Sequence, residues 1–486
     1  MQVEFVDQTL RDGPQSLWGM RVRGGMATVP APLLDRAGYA YVDVPSGSFF
    51  TVQLRYLRED PLQTFPHIRR LLGATRTRCG VRPSSSGRYG ISPYSIIDFY
   101  LQTMVRMGLD SFWIYDCLYD MPEMERLARV IHAAGAQPVP AVMYGISPLH
   151  TDDWFAARVR DMVSWGVAPA IYVEDAAGIL TPERARTLLP ALVKAAGPVP
   201  VELHCHNTTG LAPLNYLIGL ESGVRRLHTT SRPMANGPSL PSTEMTLVNL
   251  ASAGHTHGLD ESTLEPVARH MAAVAAREGY EHGGAVREYD VRIYDHQLPG
   301  GMTGTFKAQL AQHGMDDRFD AVLDEIPRVR EELGYPVSAT PFSQFIGTQA
   351  LMNVIAGERY TATIDELALY VQGAYGSPPA PIDPDVVDRI LSTPRGRALA
   401  GWKRPEMTLD EVRQAYAGTT SVSDEELFRL HFAPQEDVEA TRAAGPMRTD
   451  YPVGGLLPEA VEQALAVRGA RRVAIRDGDT AVELRR

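Results

Sequence analysis

Residues 169–207 read PAIYVEDAAGILTPERARTLLPALVKAAGPVPVELHCHN. A short apolar, β-branched run from Pro169 to Asp175 leads into a helix-period segment and then into a second run, Pro200 to Asn207, the pattern of one βα unit followed by the next strand. The helix ends are legible as well. Thr181 suits an N-cap, Pro182 the first helical position, Glu183 the first turn, and Gly197 stops the segment. Outward from this unit the same alternation recurs from Val3 to about Ser231, at intervals of roughly 25 to 40 residues. The remaining runs are VEFVDQT, YAYVDVPS, TRCGVRP, DSFWIYD, QPVPAVMYG and RRLHTTS, making eight in all. Eight evenly spaced strand and helix units favour a (β/α)8 barrel over an open doubly wound sheet. The expected fold is therefore α/β, with a TIM barrel over residues 1–260. Beyond it the strand signal disappears: residues 261–400 read as a helical extension, and 401–486 as a C-terminal tail with a small hairpin around Asp477 and Gly478.

Composition narrows the function. A net charge of −11 and a pI near 5.7 argue against nucleic acid or an acidic membrane as partner, because phosphate binding rests on a basic excess. No stretch approaches the roughly 20 apolar residues of a membrane span, and the start MQVEFVDQTLRDG does not read as a signal peptide. Cys79, Cys117 and Cys205 are odd in number and far apart, which fits buried thiols in a reducing compartment; the expectation is a cytoplasmic protein. Of the 47 basic residues only Lys194, Lys307 and Lys403 are lysines.

In a barrel of this kind the reacting groups lie at the carboxyl ends of the strands. The first strand ends in Asp7, followed by Arg11 and Asp12; the sixth ends in Glu174 and Asp175; the seventh carries His204 and His206. Strand alternation sends both histidines to the barrel mouth and Cys205 toward the helices. Taken singly, each has a plainer reading: satisfied core histidines, a turn or cap aspartate, an N-cap pair. Their coincidence at the strand ends of one barrel points instead to a divalent metal such as Zn, Mn or Co. Arg11 and Arg82 suit a carboxylate substrate, while Gln15, Asp43, Asp116 and Tyr144 follow or end other strands and are candidates for positioning it. A metal beside an arginine clamp suits enolate chemistry on a small anionic 2-oxo acid.

The segments DQTLRDGPQS, LRYLREDP, SFWIYDCLYDMPEM, MYGISPLHT, VEDAAGIL and LHCHNTTG, continued by QLPGGMTGTFKAQL, IPRVREELGYP, PFSQFIGTQALMNVIAGERY and YGSPPAPIDP, carry a family resemblance. Over roughly residues 1 to 390 the chain resembles the carboxyltransferase domains of pyruvate carboxylase, the oxaloacetate decarboxylase alpha subunit and the transcarboxylase large subunit. The resemblance implies a metal-binding barrel with a helical C-terminal extension, pyruvate or oxaloacetate as substrate, and a homodimer. It further implies Asp7, His204 and His206 as metal ligands, with Arg11 and Gln15 around substrate and metal. Two positions depart from the family wording. Glu174 stands where members carry a carbamylated lysine, offering a carboxylate on a shorter stem as a fourth ligand. Asn236-Gly237-Pro238-Ser239 replaces a stretch with a proton-shuttling threonine, leaving Ser239 as the neighbouring hydroxyl. None of the three lysines lies in a biotin-acceptor setting, so no covalent biotin is expected on this chain and carboxyl transfer requires a separate biotin carrier protein. A biotin-independent lyase, aldolase or condensing enzyme on the same site is the nearest rival, and a catalytically silent scaffold subunit of a carboxylase complex is the rival of another class.

Overall fold

The computed structural model describes residues 2–87, 90–284, 288–299, 302, 306–307, 310–311, 314–451, 472–477 and 480–485. Eight parallel strands form the barrel: β1 (Gln2–Asp7), β2 (Tyr41–Asp43), β3 (Thr77–Val81), β4 (Ser111–Ile114), β5 (Gln137–Met143), β6 (Ile171–Asp175), β7 (Val201–Cys205) and β8 (Arg226–Thr229). β1 pairs with β8 on one side and β2 on the other, which closes the sheet on itself. Each of the eight apolar runs is thus a barrel strand, and the expected TIM barrel is the fold observed. A short ninth strand, β9 (Thr256–His257), pairs with the start of β1.

The helices start and stop where their residues direct. The helix Pro182–Ala196 begins at Thr181, whose hydroxyl accepts the Arg184 N–H at 3.2 Å, and ends at Gly197 with φ +60°. It buries Leu188, Leu189 and Leu192 against the barrel. β7 is buried along its whole length, as expected for a strand covered on both faces.

Within the barrel a layer of ionic groups lies below the mouth. Arg78, fully buried, donates to Asp43 Oδ1 at 3.0 Å and to Glu202 Oε2 at 2.6 Å. His228 Nε2 stands 3.2 Å from the same Glu202 oxygen, and Gln8 donates to Asp43 Oδ2 at 2.9 Å.

After the barrel, the helices Phe319–Glu332 and Phe342–Ala356 pack on one another. The intervening stretch is tied to the barrel by the Val337 N–H, which donates to the Cys117 carbonyl at 3.1 Å. Beyond residue 400, where composition suggests a polar tail, three helices form among the described residues: Leu409–Ala417, Asp424–Phe432 and Gln435–Ala443. The middle one buries Phe428 and Phe432 against Phe50 and Tyr100. Its apolar residues Leu427, Phe428, Leu430 and Phe432 are all buried and its acidic residues open the first turn, a division that averaging over the segment conceals. Strands β10 (Arg472–Asp477) and β11 (Thr480–Arg485) pair antiparallel. Gly478 of the expected hairpin turn lies outside the described residues, as do residues 88 and 89 and parts of the stretch 297–310. Among the described residues no helix is long and apolar enough to cross a membrane.

Candidate metal centre

His204 and His206 leave β7 and its end toward the same point, their Nε2 atoms 3.3 Å apart. Asp12, which opens the short helix Asp12–Leu17 after β1, completes the group: Oδ2 lies 3.3 Å from His204 Nε2 and Oδ1 lies 3.6 Å from His206 Nε2. Among the described residues these three form a buried group whose ligand atoms all lie within 4.8 Å of one another. The remote ring nitrogens are anchored from behind. His206 Nδ1 donates to the Pro238 carbonyl at 2.6 Å, which turns Nε2 toward the group. His204 Nδ1 lies 2.7 Å from the Tyr172 hydroxyl and 3.2 Å from His228 Nδ1. Two imidazoles and a carboxylate converging in this way fit a divalent ion.

The carboxylate that reaches the imidazoles is Asp12, where the sequence reading and the resemblance placed Asp7. Asp7 is buried at the end of β1 and turned to its own loop: Oδ1 accepts the Thr9 N–H at 3.0 Å and Oδ2 the Thr9 hydroxyl at 2.7 Å. Burial pushes its carboxyl up to about 7, against the lowering effect of Thr9. Asp12 behaves oppositely. Burial acts to raise its carboxyl, but Arg11, ion-paired to it, and the two histidines outweigh burial and hold it well below the usual range.

A cavity of about 340 Å³ opens beside this group, lined by Arg11, Asp12, Gln15, Arg82, Glu174 and His206 among others. The Arg11 guanidinium lies over the Trp113 ring, 4.9 Å from its centroid, and Arg82 Nη1 donates to the Tyr115 hydroxyl at 3.1 Å. Glu174 stands outside the three-residue group. Its Oε2 is buried without a hydrogen-bond partner, and burial pushes its carboxyl up to about 7, opposed by Arg11. An orphaned carboxylate oxygen at the wall of the cavity is what a further donor to an ion would leave behind in the protein alone.

Other expected positions lie elsewhere. Asp43 is not at the cavity; it belongs to the ionic layer below, held by Arg78 and Gln8. Tyr144 packs against Phe155, and Ser239 is fully buried, its carbonyl accepting the Asn207 N–H at 2.7 Å. Pro238 rather than Ser239 faces the cavity. Asp116 shapes a turn by accepting the Asp120 N–H at 2.7 Å. The contributors to the cavity that the sequence does not single out are the aromatic pair Trp113 and Tyr115 at the end of β4 and a stretch of the helical extension around Thr340 and Gln344; Asp12 is named among the strand-end groups, but not as the carboxylate that meets the imidazoles. Asp12 adjoins Arg11 in the same segment, but the backbone leaves the strand period before it, so counting along the strand does not reach it.

A closed (β/α)8 barrel whose mouth gathers imidazoles, carboxylates and arginines defines an enzyme class with a candidate divalent-metal centre. Residues 123–270 match the HMGL-like family, and residues 293–442 match the family described as conserved carboxylase domain. The chain is 34% identical over 389 residues to a pyruvate carboxylase subunit of Methanocaldococcus jannaschii, covering 80% of this chain and 68% of that one. It is 29% identical over 492 residues to the methylmalonyl-CoA carboxyltransferase 5S subunit of Propionibacterium freudenreichii subsp. shermanii, covering 99% and 97%. The carboxyl transferase domain of Rhizobium etli pyruvate carboxylase, solved with pyruvate and biocytin, shares the fold with a TM-score of 0.83 at 23% identity, over 93% of this chain and 79% of that one. The chain belongs to the carboxyltransferase family that includes the Methanocaldococcus pyruvate carboxylase subunit, whose members are enzymes of carboxyl transfer.

Proposed function

We propose that the chain is a divalent-metal-dependent carboxyltransferase that makes or breaks the bond between a carboxyl group and the carbon next to the carbonyl of a small 2-oxo acid, pyruvate or oxaloacetate. The observation that carries this reading is a single cavity holding Arg11, Gln15 and Arg82 beside Asp12, His206 and Glu174. Asp12, His204 and His206 are the residues to hold the ion, with Glu174 as a fourth donor. When bound, a divalent ion supplies Lewis acidity toward the carbonyl oxygen of the substrate. Arg82 offers a bidentate contact for the substrate carboxylate. Arg11, oriented by Asp12 and by the face of Trp113, presents N–H donors where charge develops on the enolate oxygen. Gln15 orients the substrate between them.

The reading includes a separate biotin carrier protein, since Lys194, Lys307 and Lys403 give this chain no biotin-acceptor setting. Three free and buried cysteines support a reducing, cytoplasmic location. The homodimer is part of the same proposal, and sedimentation reports on it. Metal analysis of the purified protein together with oxaloacetate turnover tests the whole: a stoichiometric divalent ion and biotin-dependent turnover are expected, and absence of the ion overturns the reading. One observation favours a second reading, a biotin-independent lyase on the same site. Pro238 gives the cavity wall no hydroxyl where a proton would be passed, and Ser239 is buried behind it. Equal oxaloacetate loss with and without biotin would select that reading.

A further inference from the structure

Much of the cavity wall away from the histidines is the loop after β3, where Arg82, Ser85, Ser86 and Gly87 line it. The loop has little regular structure of its own, being closed by an isolated bridge from Arg82 to Ser85 and by the Ser92 N–H donating to the Ser84 carbonyl at 2.9 Å. Loops of this kind hold a fixed geometry when something else holds them.

Here the grip comes from the chain beyond residue 400. Arg404 Nη2 donates to the Pro83 carbonyl at 3.0 Å, and its guanidinium lies over Tyr94, 4.2 Å from the ring centroid. His431 Nε2 meets the Ser86 hydroxyl at 2.5 Å, with 1% and 4% of the two residues exposed. Phe432 lies directly on the backbone of Gly87: a Cβ built on that glycine would stand 2.7 Å from the ring. The same helix, Asp424–Phe432, reaches the neighbouring wall. Phe428 and Phe432 pack on Phe50, at 5.7 and 5.2 Å between centroids, in the helix Ser48–Val52, whose Ser48 and Phe49 also line the cavity. Arg429 fixes the helix in turn by pairing with Asp60 at 2.8 Å. Arg404, His431 and Phe432 thus each touch the loop after β3, and Phe428 and Phe432 also reach Phe50 in the second wall, while Tyr100 and Glu123 anchor the same segment on the neighbouring helices.

We propose that residues 404–432 are a positioning element of the active site, which sets the affinity for the 2-oxo acid by holding the loop that carries Arg82. Arg404 acts through the Pro83 carbonyl, His431 through Ser86, and Phe432 through Gly87. His431 is a positioning residue. The inference rests on the proposed function for its substrate and on geometry alone for its mechanics. Removing one partner of a buried hydrogen bond leaves the other unsatisfied, so the loop relaxes toward solvent. A binding group displaced by about 1 Å loses up to about a hundredfold in efficiency.

The test compares His431→Ala, His431→Gln and Ser86→Ala in the full-length metal-loaded protein. For His431→Ala we expect KM for the 2-oxo acid to rise about tenfold, with metal content and kcat changed far less. His431→Gln, whose amide nitrogen reaches the place of Nε2, should restore KM. The Ser86 and His431 alanine effects should not add, because they remove the same bond. Hydrogen exchange gives a readout that needs no substrate: peptides covering residues 82–87 should lose protection in His431→Ala while those of β7 keep it. Unchanged protection at 82–87, or an unchanged KM in a folded variant, overturns the proposal. If His431→Ala does not fold, Ser86→Ala breaks the bond from the loop side and decides by the same criteria. A wild-type enzyme inert toward every 2-oxo acid would overturn the substrate part along with the proposed function, while the exchange comparison still reads whether the segment holds the loop.

Discussion

Two clusters of charged and imidazole side chains lie one above the other in the barrel, and they differ in how they are satisfied. In the lower one Arg78 meets both Asp43 and Glu202, and Glu202 in turn meets His228 and Arg226. Its charges close on each other. The upper one closes only in part: Arg11 pairs with Asp12, but the Nε2 atoms of His204 and His206 face each other at 3.3 Å, and Glu174 leaves an oxygen without a partner. A buried network that satisfies itself is part of the architecture, whereas one that aims donors at a common point is built for a guest. Charge and burial alone do not separate the two, since both clusters lie inside the protein. His204 links them through His228, at 3.2 Å between Nδ1 atoms.

Substitutions can break this contrast or sharpen it. The largest effect is expected at the mouth: His206→Ala should abolish stoichiometric metal and lower kcat by about a thousandfold with little change in Tm, as read by metal analysis, turnover and calorimetry. A large fall in Tm without loss of metal would make the upper cluster architectural after all. Arg78→Met should do the reverse. It leaves Asp43 and Glu202 buried without their cation, at a cost of about 3–5 kcal/mol in denaturant unfolding, and an unchanged stability would refute the division. Glu174→Gln keeps shape and removes the charge, and should weaken metal affinity by about ten- to a hundredfold in titration. Affinity equal to wild type would show that Glu174 is not a donor. The smallest effect is Thr181→Ala, about 1 kcal/mol from the lost cap, measurable by urea unfolding and without consequence for the metal.

The fold was legible because parallel strands buried on both faces write themselves as continuous apolar runs, and all eight runs became strands. His204 and His206 were legible for a related reason, since alternation along one strand fixes that both face the same way. Asp12 was not, because after Asp7 the chain turns through Thr9 and side-chain direction stops following the strand period. Asp43 shows another limit: a strand-end position brings a carboxylate inside, but whether it meets a guanidinium there depends on a residue from a neighbouring strand. The bond between Ser86 and His431 joins residues 345 positions apart, and nothing local to either announces the other.

The imidazole of His206 is steadied by the main-chain oxygen of Pro238, at 2.6 Å, and the same residue lines the cavity. A carbonyl belongs to every amino acid. A substitution at residue 238 would therefore change the surface bordering the cavity while keeping the type of atom on which His206 relies. The backbone of residue 238 thus holds a candidate metal ligand in place while its side chain is open to exchange, two separable duties carried by a single position.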